Sequence, residues 1–242
     1  MNYILKTFVV IVFFFSLHAS SQIETKEKNN IKKTTPDGIY PSNNLVIPTH
    51  TDWTRTHYPV RITEFKKKPL YNNDIVFIGN SLTELGGDWG KRIRNTKVKN
   101  RGIADDTTDG LIARLGELIY FKPEQVFILI GINDLFRDDM SSQKVFDNIL
   151  KIVNQIHDGS PKTKIFVQTI LPTNVEMLKG KIQLTNLLLF NAESNAPYEL
   201  VFLHNHFTAK NDLMDMDLSV DGVHLNEKGY MLWVDRIINL IR

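Results

Sequence analysis

Ser81 sits at the end of a stretch built to display it. In DIVFIGNSLTE (74–84), Ile75, Val76, Phe77 and Ile78 form an unbroken apolar run that reads as a buried strand. The run stops at Gly79 and delivers Asn80 and Ser81. A hydroxyl there has two uses: to cap the helix that follows, or to act as a nucleophile. As a nucleophile it needs a base to take its proton. The chain contains no cysteine, which excludes a thiolate nucleophile, disulfides and thiolate zinc sites.

The base must therefore be a histidine, and there are seven. His18 lies in an N-terminal apolar segment, and His50 and His57 in an irregular arm. His157 ends a helical stripe, where the dipole accounts for it. His204 and His206 follow a strand, and their i, i+2 spacing, with no paired acid motif, fits a surface role better than a metal site. His224 stands in VDGVHLNEKGY (220–230), three residues after Asp221. In a turn, that spacing puts the carboxylate beside one ring nitrogen and leaves the other to face a hydroxyl. The same residues also read as a plain Asp-Gly turn before a helix capped by Asn226.

An oxyanion formed at an ester carbonyl needs donors aimed at it. Gly102, in RGIADDT (101–107), offers an unobstructed N–H. Asn133, in IGINDL (130–135), offers a side-chain amide. Both also suit ordinary turns.

The elements that must position these groups follow from periodicity. Strand candidates are 75–78, 97–100, 125–130, 164–169 and 200–203. Helical stripes alternate with them. Leu111, Leu115, Leu118 and Ile119 form one, opened by Thr108. Val145, Ile149, Ile152, Val153 and Ile156 form another, closed by Gly159 and Pro161. Residues 177–191 read as a helix. The last helix carries Tyr230, Val234, Ile237, Ile238 and Ile241 on one face. Such alternation implies an α/β fold with a parallel sheet covered on both sides. Ligands bind at the carboxyl ends of such strands, where Ser81, Gly102 and Asn133 all fall.

Four blocks in this order resemble the SGNH hydrolases, the GDSL-type esterases and lipases. They are Gly79-Asn80-Ser81-Leu82, NRGIADDTTDG (100–110) with Gly102, IGINDL with Asn133, and DGVHLNEKGY (221–230) with Asp221 and His224. The resemblance spans residues 74–242. It implies a three-layer α/β/α, flavodoxin-like sandwich of about five parallel strands. It implies a Ser81–His224–Asp221 triad, an oxyanion hole made by the Ser81 and Gly102 N–H groups and the Asn133 amide, and no cofactor or metal. The nearest branch resembles secreted bacterial acylhydrolases, similar to platelet-activating-factor acetylhydrolases and carbohydrate acetylesterases. Asn80 departs from the usual aspartate. Thr83 stands where a Gly-x-Ser-x-Gly elbow would have its second glycine, which argues against the α/β-hydrolase fold.

Asn80, Asp105, Asp134, Leu171 and Val223 are expected to contact substrate, with Leu171-Pro172 walling an acyl pocket. Asp105, Asp106, Asp134 and Glu84 either hold a polar substrate or cap helices, capping being favoured for Asp106. Trp53, Trp89 and Trp233 either stack on a sugar or pack the core.

Composition sets the remaining limits. A chain of 242 residues with 42% hydrophobic and 23% charged residues is ordinary for one globular domain. Residues 1–21 read as a signal peptide, with Lys6 ahead of the apolar run Phe8–Leu17 and small residues at 19–21. Residues 22–56 read as a flexible leader and an arm, and residues 57–242 as the hydrolase domain, with a short helix over 57–68. Without Lys6, 28 basic residues face 27 acidic ones, a balance that offers nothing to nucleic acid. The sequence predicts a secreted or periplasmic protein with no membrane span after signal removal, and it carries no mark of an oligomeric state. The expected partner is a small-molecule or glycan ester. The function expected is hydrolysis of short-chain esters, acetyl esters foremost, through an acyl-enzyme. The alternatives are a lysophospholipase or thioesterase activity, or an inactive carbohydrate-binding protein on the same fold. A nucleotide or flavin binder would need a phosphate-cradling loop after the first strand, which GNSLTELGGD (79–88) does not provide.

Overall fold

The computed structural model describes residue 36 and residues 38–241. The segment read as a signal peptide and the polar leader over 22–35 lie outside the described residues. Residues 37–242 belong to one compact unit.

Five parallel strands form a single sheet in the order β2-β1-β3-β4-β5. They are β1 (Ile75–Gly79), β2 (Val98–Gly102), β3 (Gln125–Leu129), β4 (Lys164–Gln168) and β5 (Glu199–Val201). β1 and β3 are buried along their whole length, as strands covered on both faces must be, which is why they read as unbroken apolar runs. β5 ends earlier than expected. Its continuation turns away as Leu203 N–H and His204 N–H both donate to Thr169 Oγ1.

Side chains on β1 alternate between the two faces. Val76 and Ile78 join the core beneath α4 (Thr108–Ala113), α5 (Gly116–Phe121), α7 (Ser142–Gly159) and α8 (Glu176–Ala192). Ile75 and Phe77 join the core beneath α3 (Trp89–Ile93) and α9 (Glu227–Ile237). On that second face the rings of Trp89, Phe77, Phe127 and Phe166 stack in series, with centroids 4.6, 4.9 and 4.5 Å apart. The sheet order reverses at β1, between β2 and β3. A crevice therefore opens beyond the carboxyl end of β1, the usual ligand position in such sheets.

Two expectations need correction. The arm is not irregular up to Pro59, because α1 runs from Asp52 to Lys67 with Pro59 inside it. Thr51 caps it by accepting from Thr54 N–H at 3.2 Å. Its buried face of Thr54, Tyr58, Ile62 and Phe65 outweighs the one backbone bond that proline removes. Phe65, Tyr58 and Ile62 form a small core with Ile47 and Ile103, next to the end of β2. The stripe over 111–119 is two helices, not one, and Thr107 rather than Thr108 caps the first. The break falls at Arg114, whose buried guanidinium donates inward to Arg101 O, Gly79 O and Asp106.

Candidate active site

The turn after β1 is tight because Gly79 permits it. A Cβ there would lie 2.1 Å from Leu129 O and 2.5 Å from Thr83 Oγ1. Asn80 then caps α2 (Ser81–Leu85), its Oδ1 accepting from Leu82 N–H at 3.1 Å. Ser81 is therefore the first residue of the helix and not its cap. Its hydroxyl lies 3.1 Å from His224 Nε2. Ser81 N–H is one of the first-turn donors with no acceptor inside the helix.

His224 is fixed from its other side. Its Nδ1 lies 2.8 Å from Asp221 Oδ2, while the N–H groups of Val223 and His224 donate to Asp221 Oδ1 at 2.9 and 2.7 Å. Partial burial raises the Asp221 pKa. The hydrogen bonds from the His224 ring and from the two N–H groups, with the attraction of His224, outweigh that and bring it down to about 2. Asp221 is thus an anion near neutral pH. A carboxylate there favours a proton on Nδ1 and leaves Nε2 free to accept the Ser81 proton. The turn reading of this loop holds alongside that arrangement: Gly222 sits at φ +85°, and Asn226 caps α9 by accepting from Gly229 N–H at 3.1 Å.

Asn133 lies on α6 (Ile132–Leu135), after the turn at Gly131, and borders the same cleft as Ser81 and His224. One hydrogen of its amide is donated to Asp106 O at 2.9 Å, and the second has no acceptor among the described residues. Gly102 is a correction. Its N–H donates to Asn100 Oδ1 at 2.8 Å, and a Cβ there would meet Glu84 N at 2.1 Å. Gly102 is small so that α2 can pack on β2, and it does not border the cleft. The backbone group that does is Asp105, at φ +59°. Its N–H forms no hydrogen bond among the described residues. The sequence singles out Asp105 for its carboxylate as a substrate contact but not for its N–H, because a glycine is the natural unobstructed donor. The available clue was that aspartate tolerates the left-handed conformation better than most residues.

The other acids are engaged in scaffolding. Both Thr51 and Thr54 hydroxyls donate to Asp105 Oδ2, tying the loop to the start of α1. Asp106 is not a helix cap. It is buried between Arg114 and His50, each within 3.0 Å. Glu84 takes Ala104 N–H at 2.5 Å and His57 Nε2 at 3.0 Å. Asp134 is also corrected: it is buried away from the cleft and accepts from Thr108 N–H and, at 2.6 Å, from the Thr108 hydroxyl. Asn80 and Leu171 line a separate small cavity with Pro172, and Val223 borders both that cavity and the cleft. Trp89 and Trp233 pack the core, whereas Trp53 borders the cleft. His204 Nδ1 lies 2.8 Å from Ile170 O, and burial lowers its pKa. Among the described residues no group of three or more His, Asp or Glu side chains is placed to hold a metal ion, and no helix is long and apolar enough to cross a membrane.

Asp134 carries a pH prediction. Burial raises its pKa from 3.8 to about 6, against the opposing pull of its Thr108 hydrogen bonds. In that interval the folded protein keeps a proton that the unfolded chain has lost. Stability therefore falls as pH rises through the interval, by up to about 3 kcal/mol, and levels off above it. Asp134→Asn, uncharged throughout, is expected to lack this fall. Urea melts of both proteins at pH 4 and pH 7 measure it, and identical pH slopes would refute the assignment.

The model of the GDSL-like Lipase/Acylhydrolase family matches residues 77–232, more than half of the chain. A Streptococcus pneumonia protein described as a candidate platelet activating factor shares the fold. Its TM-score is 0.69 at 23% identity, over 78% of this chain and 95% of that one. A variant of an acetyl-xylooligosaccharide esterase from Geobacillus Stearmophilus also shares it, with TM-score 0.59 and 20% identity over 72% and 96% of the two chains. A curated N-acylneuraminate cytidylyltransferase of Escherichia coli is 23% identical over 185 residues, 75% of this chain. The match takes in only 43% of that relative's length. Residues 77–232 hold Ser81, Asn133, Asp221 and His224 together, and the chain belongs to the GDSL-like lipase/acylhydrolase family.

Proposed function

We propose that the protein hydrolyses short-chain acyl esters, acetyl esters above all, with Ser81 as nucleophile, His224 as general base and Asp221 orienting it. The observation that carries this is the unbroken line of hydrogen-bonding contacts from Ser81 Oγ through the His224 ring to Asp221, opening on one cleft. Ser81 Oγ attacks the ester carbonyl carbon as its proton passes to His224 Nε2. The carbonyl oxygen becomes an oxyanion, received by Ser81 N–H, Asp105 N–H and the free hydrogen of the Asn133 amide. Collapse breaks the bond to the alcohol oxygen, which takes the proton from His224 and leaves. Water, deprotonated by His224, then attacks the acyl-Ser81 carbonyl; the bond to Ser81 Oγ breaks, Oγ takes the proton back from His224, and the acid leaves. Asp105 replaces Gly102 in this scheme because its N–H lies at the cleft and forms no hydrogen bond among the described residues, whereas the N–H groups of Gly102, Ala104 and Thr107 are taken. Each step uses groups of this chain.

The small cavity behind Val223 supports the short acyl group. It measures about 10 Å³, and its lining includes Asn80, Leu82, Leu129, Leu171, Pro172 and Val223. That is room for a group about the size of one water. Initial rates on p-nitrophenyl esters from acetate to octanoate test the reading, and rates climbing toward octanoate would overturn it. Val223→Ala opens the wall shared by cavity and cleft. It is expected to raise the butyrate-to-acetate ratio of kcat/KM by about 10-fold, the scale of one or two methylenes in an apolar pocket. An unchanged ratio would place the acyl group elsewhere. Export of the enzyme, supported by the apolar run Phe8–Leu17, belongs to the same proposal.

A further inference from the structure

We infer that the rim of the cleft is a subsite for an uncharged sugar ring stacked on Trp53, so that the alcohol half of the ester is a neutral glycan. This rests on the proposed position of the ester at Ser81.

The three tryptophans have different fates. Trp89 and Trp233 are 1% and 0% exposed, whereas Trp53 is 54% exposed at the cleft. Trp53 is not loose. Its ring stacks on His57 at 4.6 Å and 24°, and Glu84 holds His57 at 3.0 Å. One indole face is thus braced while the residue remains half open to solvent. Phe136, 46% exposed, stands on the same cleft of about 670 Å³. Trp53 and Phe136 thus put two aromatic rings on one cleft, and a braced indole offers a flat surface at little entropic cost.

Charge selects among ligands. The cationic side chain at the rim, Arg137, is already neutralised: Nε and one terminal nitrogen donate to Asp139 at 3.0 Å, and the other donates to Thr49 O at 3.3 Å. Asp221 and Asp105 add negative charge to the same cleft. Asp105 Oδ1 accepts no hydrogen bond among the described residues, because both threonine hydroxyls fall on Oδ2. It can take a sugar hydroxyl, and it repels a carboxylate or phosphate. An aromatic platform beside a free acceptor, without spare positive charge, fits a neutral pyranose and disfavours acidic sugars and phospholipid head groups.

Trp53 supplies its own reporter, being the accessible one of three tryptophans. Ser81→Ala protein is titrated with xylo-, cello-, manno- and chitohexaose, with an α2,8-linked sialic acid tetramer and with lysophosphatidylcholine below its micelle concentration. Acrylamide quenching of tryptophan fluorescence is read each time. At least one neutral hexasaccharide is expected to halve the quenching constant, with the sialic acid and lysophospholipid giving no protection. In the Ser81→Ala background, Trp53→Ala is expected to weaken binding of that hexasaccharide, measured by calorimetry, by about 3- to 10-fold. Protection by none of the four neutral sugars overturns the inference, as does equal protection by either charged probe or undiminished affinity in the Trp53→Ala variant. Protection by a neutral sugar in a protein whose unsubstituted form cleaves no ester would leave the subsite standing and remove the proposed reaction instead.

Discussion

Ser81→Ala is expected to lower kcat by about 10⁶-fold, the scale seen when a serine nucleophile is deleted from a complete triad. Labelling by a fluorophosphonate probe should disappear with it. The melting temperature should hardly move, because the helix that begins at Ser81 is capped by Asn80 and the hydroxyl's contact is with His224. That separation makes the experiment clean: a folded protein with no turnover has lost chemistry and nothing else. Labelling that persists in the alanine variant would assign the nucleophile to another residue.

Asn133→Ala should have the second largest effect. In the proposed reaction its free amide hydrogen meets an oxygen that is more negative in the transition state than in the bound ester, so the interaction is stronger at the barrier. Removing one such donor typically costs about 10²–10³ in kcat, or roughly 3–4 kcal/mol. The loss should fall on kcat with KM little changed. Asn133 also tethers the loop at Asp106 O, so thermal melts must accompany the kinetics. A folded variant whose kcat stays within threefold of the parent would remove Asn133 from the oxyanion site.

The architecture was legible wherever burial imposed an unambiguous pattern. β1 and β3 lie in the middle of the sheet and had to be apolar throughout; α7 had to keep Val145, Ile149, Ile152, Val153 and Ile156 on one side. Ser81, Asn133, Asp221 and His224 could be picked out because each sits just past a strand or ahead of a helix, where sequence punctuation is strongest. What could not be read was which hydrogen bonds were already taken. Gly102 looked like a donor, but Asn100 two residues earlier occupies its N–H. Asp134 looked like a contact at the mouth, but Thr108, far along the chain, draws it inside. The start of α1 was hidden by Pro59, whose local penalty is outweighed by packing against Ile103 and Ile47, neither of them a neighbour in sequence.

The distance along the chain between Ser81 and His224, 143 positions, has a consequence for how activity arises during synthesis. When β1, β2 and β3 have left the ribosome, the chain already holds the serine and its Asn133 partner. The imidazole and carboxylate arrive only with the loop before α9. That helix is drawn in by Tyr230 donating to Leu82 O at 2.9 Å and by Glu227 pairing with Arg92 at 2.6 Å. Both contacts are made to α2 and α3, beside the serine. On the proposed mechanism, a nascent or truncated chain therefore carries a hydroxyl with no base to activate it. Acquisition of esterase activity would report that the last helix has docked, which makes the reaction itself a clock for the final step of folding.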